Sequence, residues 1–249
     1  MSRVAAEAGR SEGREMSRRQ FLAAAAAFGA AAIAPGVFLL RPARAAGVDA
    51  KVRWGLLVDT TRCSEGCDAC VRACNAENGL TGRGRRTDSQ WIRKVELKDL
   101  KSGRTHSLPV MCQHCAEPPC VDVCPTGASF KRADGIVLVD RHTCIGCRYC
   151  MMACPYKARS LVHENVTEQK LEVPRGKGCV ESCTLCVHRV DRGRVPACVE
   201  ACTAAGRGAL VFGDLNDPQS EISRRIASVA TRQIRADLRL DPGVRYAGL

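Results

Sequence analysis

Cysteine is the residue type in this chain that is most able to bind metals or carry out chemistry. The 249 residues include 17 cysteines but only two Trp, three Tyr and five Phe. This balance indicates that sulfur, rather than aromatic packing, organises the core. Sixteen cysteines fall into four groups: Cys63, Cys67, Cys70 and Cys74; Cys112, Cys115, Cys120 and Cys124; Cys144, Cys147, Cys150 and Cys154; Cys183, Cys186, Cys198 and Cys202. Cys179 is left over.

The third group carries the most specific motif. From Cys144 to Pro155 it has the spacing C-x2-C-x2-C-x3-C-P, which is typical of bacterial ferredoxins that bind 4Fe-4S clusters. Three thiolates within seven residues can bind three corners of one cluster. We expect the fourth, Cys154, to project from the first turn of a following short helix, to face away from that cluster and to bind another.

The other three groups vary the same theme. The second has a four-residue loop stiffened by Pro118 and Pro119, the first begins with C-x3-C, and the fourth has an interval of eleven residues, 187–197. Zinc is the alternative, since C-x2-C pairs are common in zinc sites. A zinc ion needs two such pairs in a closed tetrahedron, whereas trios with a displaced fourth cysteine would leave one thiolate unused at every site. The pattern therefore favours iron-sulfur clusters.

The N-terminal segment has the features of an export signal. Ser17–Leu22 contains a twin arginine, Arg18 and Arg19, directly before the uncharged stretch 21–40 and an A-x-A cleavage pattern ending at Ala45. This order predicts a twin-arginine signal peptide over residues 1–45 and a periplasmic location. A retained membrane anchor remains open, as does a true start at Met16.

Disulfide bonds are the usual expectation for an exported protein with many cysteines. The twin-arginine route carries folded proteins, commonly with a cofactor already inserted in the cytoplasm. Because the cysteine spacing also fits clusters, we do not expect a disulfide scaffold.

The net charge of +12 would by itself suggest a nucleic-acid partner. Residues 1–45 hold seven Arg and three Glu, so a third of the excess lies in the segment predicted to be removed. Each 4Fe-4S core with four thiolates would add two negative charges. Four clusters would leave the loaded mature chain close to neutral, which makes nucleic-acid binding improbable.

Short strands and turns connect the cysteine groups. Residues 128–132 and 136–140 flank Ala133-Asp134-Gly135, which predicts a hairpin between groups two and three. Further strands are predicted over 53–58 and 208–212, and a helix capped by Asp217-Pro218 through about residue 230. We expect an outer unit formed by residues 46–110 and 161–215, an inner unit over 111–160, and a C-terminal helix and tail over 216–249.

The sixteen-cysteine order resembles the four-cluster iron-sulfur subunits of the complex iron-sulfur oxidoreductase family, over residues 54–249. Within that family, the strings 176–191, 196–202 and 212–223 are most similar to the periplasmic iron-sulfur subunit of the sulfite-reductase-associated membrane complex of the Dsr type. The resemblance implies an α+β fold with two interleaved bacterial ferredoxin-like two-cluster units, a tandem 4Fe-4S ferredoxin fold with short hairpins, helices and loop insertions.

In this family, the fourth cysteine of one group binds the cluster held by another group. The resemblance therefore implies four ligand sets, one for each of four 4Fe-4S clusters. They are Cys63, Cys67, Cys70 and Cys202; Cys74, Cys183, Cys186 and Cys198; Cys112, Cys115, Cys120 and Cys154; Cys124, Cys144, Cys147 and Cys150. The long interval from Cys63 to Cys67 is where the generic pattern is weakest. Cys179 is expected to be a free thiol.

An electron relay is the expected function. The sequence offers no nucleophile and base pair, no phosphate loop and no open metal position, so the chain is not expected to be an enzyme on its own or to bind a small-molecule substrate. His114 is expected to be a loop residue beside a cluster, and 83–86 a solvated basic loop. The resemblance implies two partners: an integral membrane subunit that interacts with quinone, and a periplasmic cytochrome c. The alternative is the electron-transfer subunit of a molybdopterin-dependent reductase of a sulfur compound.

Overall fold

The computed structural model describes residues 30–34, 37–40 and 48–249, and divides into two units, 1–47 and 48–249. In the first unit, strands β1 (Ala30–Ala34) and β2 (Val37–Leu40) pair as an antiparallel hairpin. The predicted twin arginine and the cleavage position at Ala45 lie outside the described residues. In the described parts of the chain, no helix is both long and apolar enough to cross a membrane.

The second unit mixes short helices with small sheets. In chain order its elements are β3 (Trp54–Asp59), α1 (Ala69–Asn78), β4 (Ile92–Lys98), β5 (Thr105–Met111), α2 (Pro119–Asp122), β6 (Ser129–Lys131), β7 (Val137–Val139), α3 (Tyr149–Ala153), β8 (Ser160–Leu161), β9 (Val180–Glu181), α4 (Val187–Val190), α5 (Ala197–Ala204), β10 (Leu210–Asp214), α6 (Glu221–Ser228), β11 (Thr231–Arg232), a 3-10 turn (Ala236–Leu238) and β12 (Val244–Ala247). This content agrees with the α+β class predicted from the sequence.

A four-stranded sheet with the order β10-β3-β12-β11 joins the two ends of the second unit. The predicted strands before group one and after group four are confirmed as β3 and β10, which pair antiparallel with Val58 opposite Leu210. Trp54 stacks on Phe212 with ring centroids 5.0 Å apart. Strand β12, which pairs parallel with β3, was not predicted, because four residues after Pro242-Gly243 are too few to show a strand pattern.

The hairpin between groups two and three is also confirmed. Strands β6 and β7 pair antiparallel with Phe130 opposite Leu138, and Gly135 takes the positive φ of 86° that the turn requires. The longer hairpin of β4 and β5, with Ile92 opposite Met111, was not predicted. It occupies the interval between groups one and two and packs against α1.

The cap predicted for the C-terminal helix was wrong by three residues. Helix α6 is capped by Ser220, whose hydroxyl accepts a hydrogen bond from Ser223 N at 3.2 Å. Asp217 instead accepts from Gln219 N at 2.8 Å through its side chain, so Asp217-Pro218 forms a separate turn before the helix.

Two helix pairs position the cysteines. Helix α1, from group one, packs against α5, from group four, while α2, from group two, packs against α3, from group three. The pairing of β3 with β10 holds the chain segments of α1 and α5 together across more than a hundred residues.

Candidate metal centres

The third cysteine of every group occupies the same place in a helix. Cys70, Cys120, Cys150 and Cys198 are each the second residue of α1, α2, α3 and α5 respectively. The fourth cysteine follows four residues later, which corresponds to a rise of about 6 Å along a helix. Cys74 and Cys202 lie in the same helix as the third cysteine of their group, whereas Cys124 and Cys154 follow the ends of α2 and α3.

The position predicted for Cys154 within this motif was wrong. Cys154 does not lie in the first turn of a following helix but directly after α3, with extended backbone at φ −73° and ψ 112°. The reason is that α3 begins earlier, at Tyr149, so the helix contains the third cysteine and ends before the fourth.

A second regularity precedes the second cysteine of each group. Gly66, His114, Gly146 and Leu185 have φ of 71°, 45°, 68° and 51°. A Cβ on Gly146 would lie 2.0 Å from the Gly178 carbonyl oxygen, so only glycine fits there. At His114 and Leu185 the left-handed backbone costs about 1 to 2 kcal/mol each. Such strain is found where a binding loop must hold one shape.

Four candidate sites, A to D, correspond to the four ligand sets that the resemblance implies. Candidate site A comprises Cys63, Cys67, Cys70 and Cys202. Burial raises the pKa of the Cys70 thiol to about 11; the Lys94 ammonium opposes this shift, and the thiols of Cys63, Cys202 and Cys67 add to it. Group one and the last cysteine of group four are therefore neighbours. Between Cys63 and Cys67 the chain turns at Gly66, and Cys67 N donates to the Ser64 carbonyl oxygen at 3.3 Å.

Site B consists of Cys74, Cys183, Cys186 and Cys198. Burial holds the pKa of Cys74 well above its usual value, and the Cys183 and Cys186 thiols raise it further. Burial also raises the pKa of Cys198, with Cys186 and Cys74 beside it. All four side chains are buried.

Site C consists of Cys112, Cys115, Cys120 and Cys154. Burial raises the pKa of Cys112 to about 12; the Arg159 guanidinium opposes the shift, and the Cys120 and Cys154 thiols add to it. Burial raises the pKa of Cys115 to about 12 as well, and the same two thiols contribute. All four of these side chains are buried.

Site D consists of Cys124, Cys144, Cys147 and Cys150. Burial raises the pKa of Cys150; Arg159 opposes this shift, and Cys144 and Cys124 add to it. Cys147 lies on the loop between Cys144 and Cys150. It is the one exposed cysteine among the seventeen, all of which the structure describes.

The four sites follow one another in a row. Cys74 of site B has Cys70 of site A beside it. Cys183 of site B lies near Cys112 of site C. Cys120 of site C lies near Cys150 of site D. The order is A, B, C, D, with the wholly buried sites in the middle and the partly exposed sites at the ends.

The donor set suits iron-sulfur clusters. All seventeen cysteines are free thiols, and each site offers sulfur donors alone. The raised pKa values reflect thiols held close together in buried surroundings, and a cluster would take them as thiolates. Among the described residues, no three His, Cys, Asp or Glu side chains are grouped as ligands of one metal ion; the four thiolates of a cubane instead bind four different irons.

Backbone amides and cationic side chains surround the sulfurs. Val180 N donates to Cys144 Sγ at 3.4 Å, and Ala209 N donates to Cys202 Sγ at 3.3 Å. Lys94 Nζ lies 2.9 Å from Cys63 Sγ. Such hydrogen bonds and charges set the reduction potentials of iron-sulfur centres.

Comparison with known proteins agrees with this geometry. Residues 104–215 match the family model described as a 4Fe-4S dicluster domain. The chain is 43% identical to the Hdr-like menaquinol oxidoreductase iron-sulfur subunit 1 of Archaeoglobus fulgidus, over 94% of this chain and 98% of that protein. It is 38% identical to a tetrathionate reductase subunit of Salmonella typhimurium, over 94% and 89% of the two chains. It is also 38% identical to a sulfite dehydrogenase subunit of Allochromatium vinosum, over 77% and 81%.

The chain belongs to this family of 4Fe-4S proteins. It is an iron-sulfur electron-transfer subunit of an oxidoreductase complex, not the catalytic subunit. The sequence-based prediction of the family and of iron-sulfur clusters is confirmed at this level.

The remaining candidate residues have structural surroundings. His114 is buried, and its Nδ1 accepts a hydrogen bond from Val137 N at 3.1 Å, so it supports β7 beside site C. Burial lowers the His114 pKa to about 3, which keeps the ring neutral. In the exposed basic loop 83–86, Arg85 pairs with Glu164 of the same chain.

Proposed function

We propose that the chain holds four 4Fe-4S clusters, one in each of sites A to D, and relays single electrons along that row in a quinone-linked membrane complex. The observation that carries the proposal is the pattern of burial. Sites B and C are lined by buried cysteines only, whereas sites A and D each have partly exposed ones. A relay needs shielded inner centres and two ends that partners can approach.

The clusters supply reversible one-electron chemistry when bound. The chain's own residues would hold them through thiolates and shield sites B and C from water. Neighbouring sites stay close because the third and fourth cysteines of each group are four residues apart, in a short helix or just after it. The packing of α1 on α5 and of α2 on α3 supports two interleaved units. In this proposal sites A and B form the outer unit, from 46–110 and 161–215, sites C and D form the inner unit, 111–160, and 216–249 is the C-terminal part.

The two ends differ in character. Around Cys147 of site D, the side chains of Ile145, Tyr149 and Met152 are more than half exposed. Exposed apolar surface marks interaction sites, and permanent interfaces are more apolar than transient ones. We assign site D to the integral membrane subunit and site A, beside the Lys94 ammonium, to a periplasmic cytochrome c.

The link to quinone and to sulfur metabolism is supported by the names of the relatives. One is the iron-sulfur subunit of a menaquinol oxidoreductase, and others belong to tetrathionate reductase and sulfite dehydrogenase. Together with the strings 176–191, 196–202 and 212–223, this favours the sulfite-reductase-associated complex of the Dsr type.

A second candidate is the electron-transfer subunit of a molybdopterin-dependent reductase of a sulfur compound. It is favoured by the similarity to the tetrathionate reductase subunit and to a putative dimethyl sulfoxide reductase iron-sulfur subunit of Halobacterium salinarum. Purifying the native complex separates the two: a membrane subunit with a cytochrome c supports the first, and a large pterin-binding subunit supports the second.

Iron and sulfide analysis tests the four-cluster proposal directly. Anaerobically purified protein should contain about sixteen iron and about sixteen acid-labile sulfide per chain, with a broad thiolate-to-iron absorption band. Stoichiometric zinc, or fewer than about ten iron after reconstitution, would contradict it.

Export through the twin-arginine route is part of the same proposal. Replacing Arg18 and Arg19 together by lysine should leave cluster-loaded precursor in the cytoplasm, because a receptor reads the pair and the fold does not depend on it. Cell fractionation with iron analysis measures this. The matched control, Arg41→Lys with Arg44→Lys, changes arginines outside the motif and should be exported normally; normal export of the twin-arginine variant would show the signal assignment to be wrong.

A further inference from the structure

Arg159 is a buried cation between two of the candidate sites. Its residue surface is 5% exposed, and it lies directly before β8, whose pairing with β9 fixes the local backbone. Its Nη2 donates to Cys120 Sγ of site C at 3.1 Å. The guanidinium also faces Cys112 of site C and Cys150 of site D.

No carboxylate balances this charge within the described residues. Other arginines with buried side chains do have carboxylate partners: Arg189 forms an ion pair with Glu200, and Arg175 forms a bidentate ion pair with Glu181. Arg159 has no such ion pair in residues 48–249, and its buried Nη1 has no hydrogen-bond partner there. A buried cation needs an anion for compensation, and the thiols of sites C and D surround it.

We propose that Arg159 is a counter-cation shared by sites C and D, which raises the reduction potentials of the clusters at both sites together. This inference rests on the proposed occupancy of the four sites. A planar guanidinium can face two thiolates at once, whereas an ammonium acts as a point charge. Positive charge beside a cluster stabilises its reduced, more negative form. Lys94, which contacts Cys63 and lies near Cys70, both of site A, does the same at site A.

Redox titration of the loaded chain, followed by electron paramagnetic resonance, tests this assignment. Arg159→Gln should lower two of the four reduction potentials, each by about a tenfold change in the equilibrium constant, because it removes a positive charge that favours the reduced cluster. For a one-electron couple this is about 59 mV. The matched control Lys94→Gln should lower one potential, and Arg159→Lys should lower the same two by less.

Iron content separates the failure of this inference from that of the relay. If the parent protein lacks about sixteen iron per chain, the proposed occupancy fails and the inference fails with it. If the parent is fully loaded and Arg159→Gln shifts no potential, or only one, Arg159 is not shared and the inference alone is overturned. Should Arg159→Gln not retain its clusters, Arg159→Lys decides: two lowered potentials support the inference, and one or none overturns it.

Discussion

A Cys154→Ala variant is expected to lose or alter the cluster at site C while site D keeps its cluster. Cys154 follows the helix that carries Cys150 of site D, yet its thiol lies beside Cys112, Cys115 and Cys120. Loss of this ligand should therefore affect the cluster held by group two, across the helix pair, and not the cluster held by its own group. Iron analysis should show a loss of up to about four of sixteen irons.

Double variants identify the affected site without assigning spectra. Cys120→Ala combined with Cys154→Ala removes two ligands of site C, so one cluster should be affected, as in the single variant. Cys150→Ala combined with Cys154→Ala removes ligands from two sites, so two clusters should be affected. If the two double variants behave the other way round, the fourth cysteine serves its own motif and the interleaved arrangement fails.

Cys124→Ala is the reciprocal control. Cys124 belongs to group two by sequence but lies beside Cys150 of site D. Its loss should leave site C intact and alter site D. The same response from Cys124→Ala and Cys154→Ala would mean that the exchange runs in one direction only, and the reciprocal arrangement of sites C and D would be wrong.

The local parts of the candidate centres could be predicted from the sequence. Spacing alone groups Cys144, Cys147 and Cys150, and a D-G turn between short apolar runs gives the hairpin of β6 and β7. These features depend on residues close together in the chain, where loop geometry and turn chemistry leave few alternatives.

The charged surroundings of the sulfurs could not be predicted. Lys94 and Cys63 are 31 residues apart, and Arg159 and Cys120 are 39 residues apart. Their contacts depend on the hairpin of β4 and β5 and on the short pairing of β8 with β9, neither of which has a strong pattern. The left-handed backbone at His114 and Leu185 could not be predicted either, because the sequence signal for positive φ is glycine. Of the four positions that precede a second cysteine, only Gly66 and Gly146 are glycine.

The seventeenth cysteine gives a sharp test of the register in group four. Cys179 stands four residues before Cys183, the same spacing as Cys63 to Cys67, so sequence alone allows either to be the first ligand. In the structure, Cys183 is buried beside Cys198 and Cys186 of site B. Cys179 is half-buried, donates to the Arg141 carbonyl oxygen at 3.3 Å and lies next to Cys144.

Cys183→Ser should therefore remove the cluster of site B, leaving about twelve of sixteen irons, and should interrupt electron transfer because site B is an inner member of the row. Cys179→Ser should retain all four clusters, with at most a small change in the signal of site D, since its hydroxyl can keep the hydrogen bond to Arg141. Iron analysis and electron paramagnetic resonance of the two matched serine variants measure the difference. Loss of iron with Cys179→Ser and not with Cys183→Ser would move the first ligand of group four to Cys179.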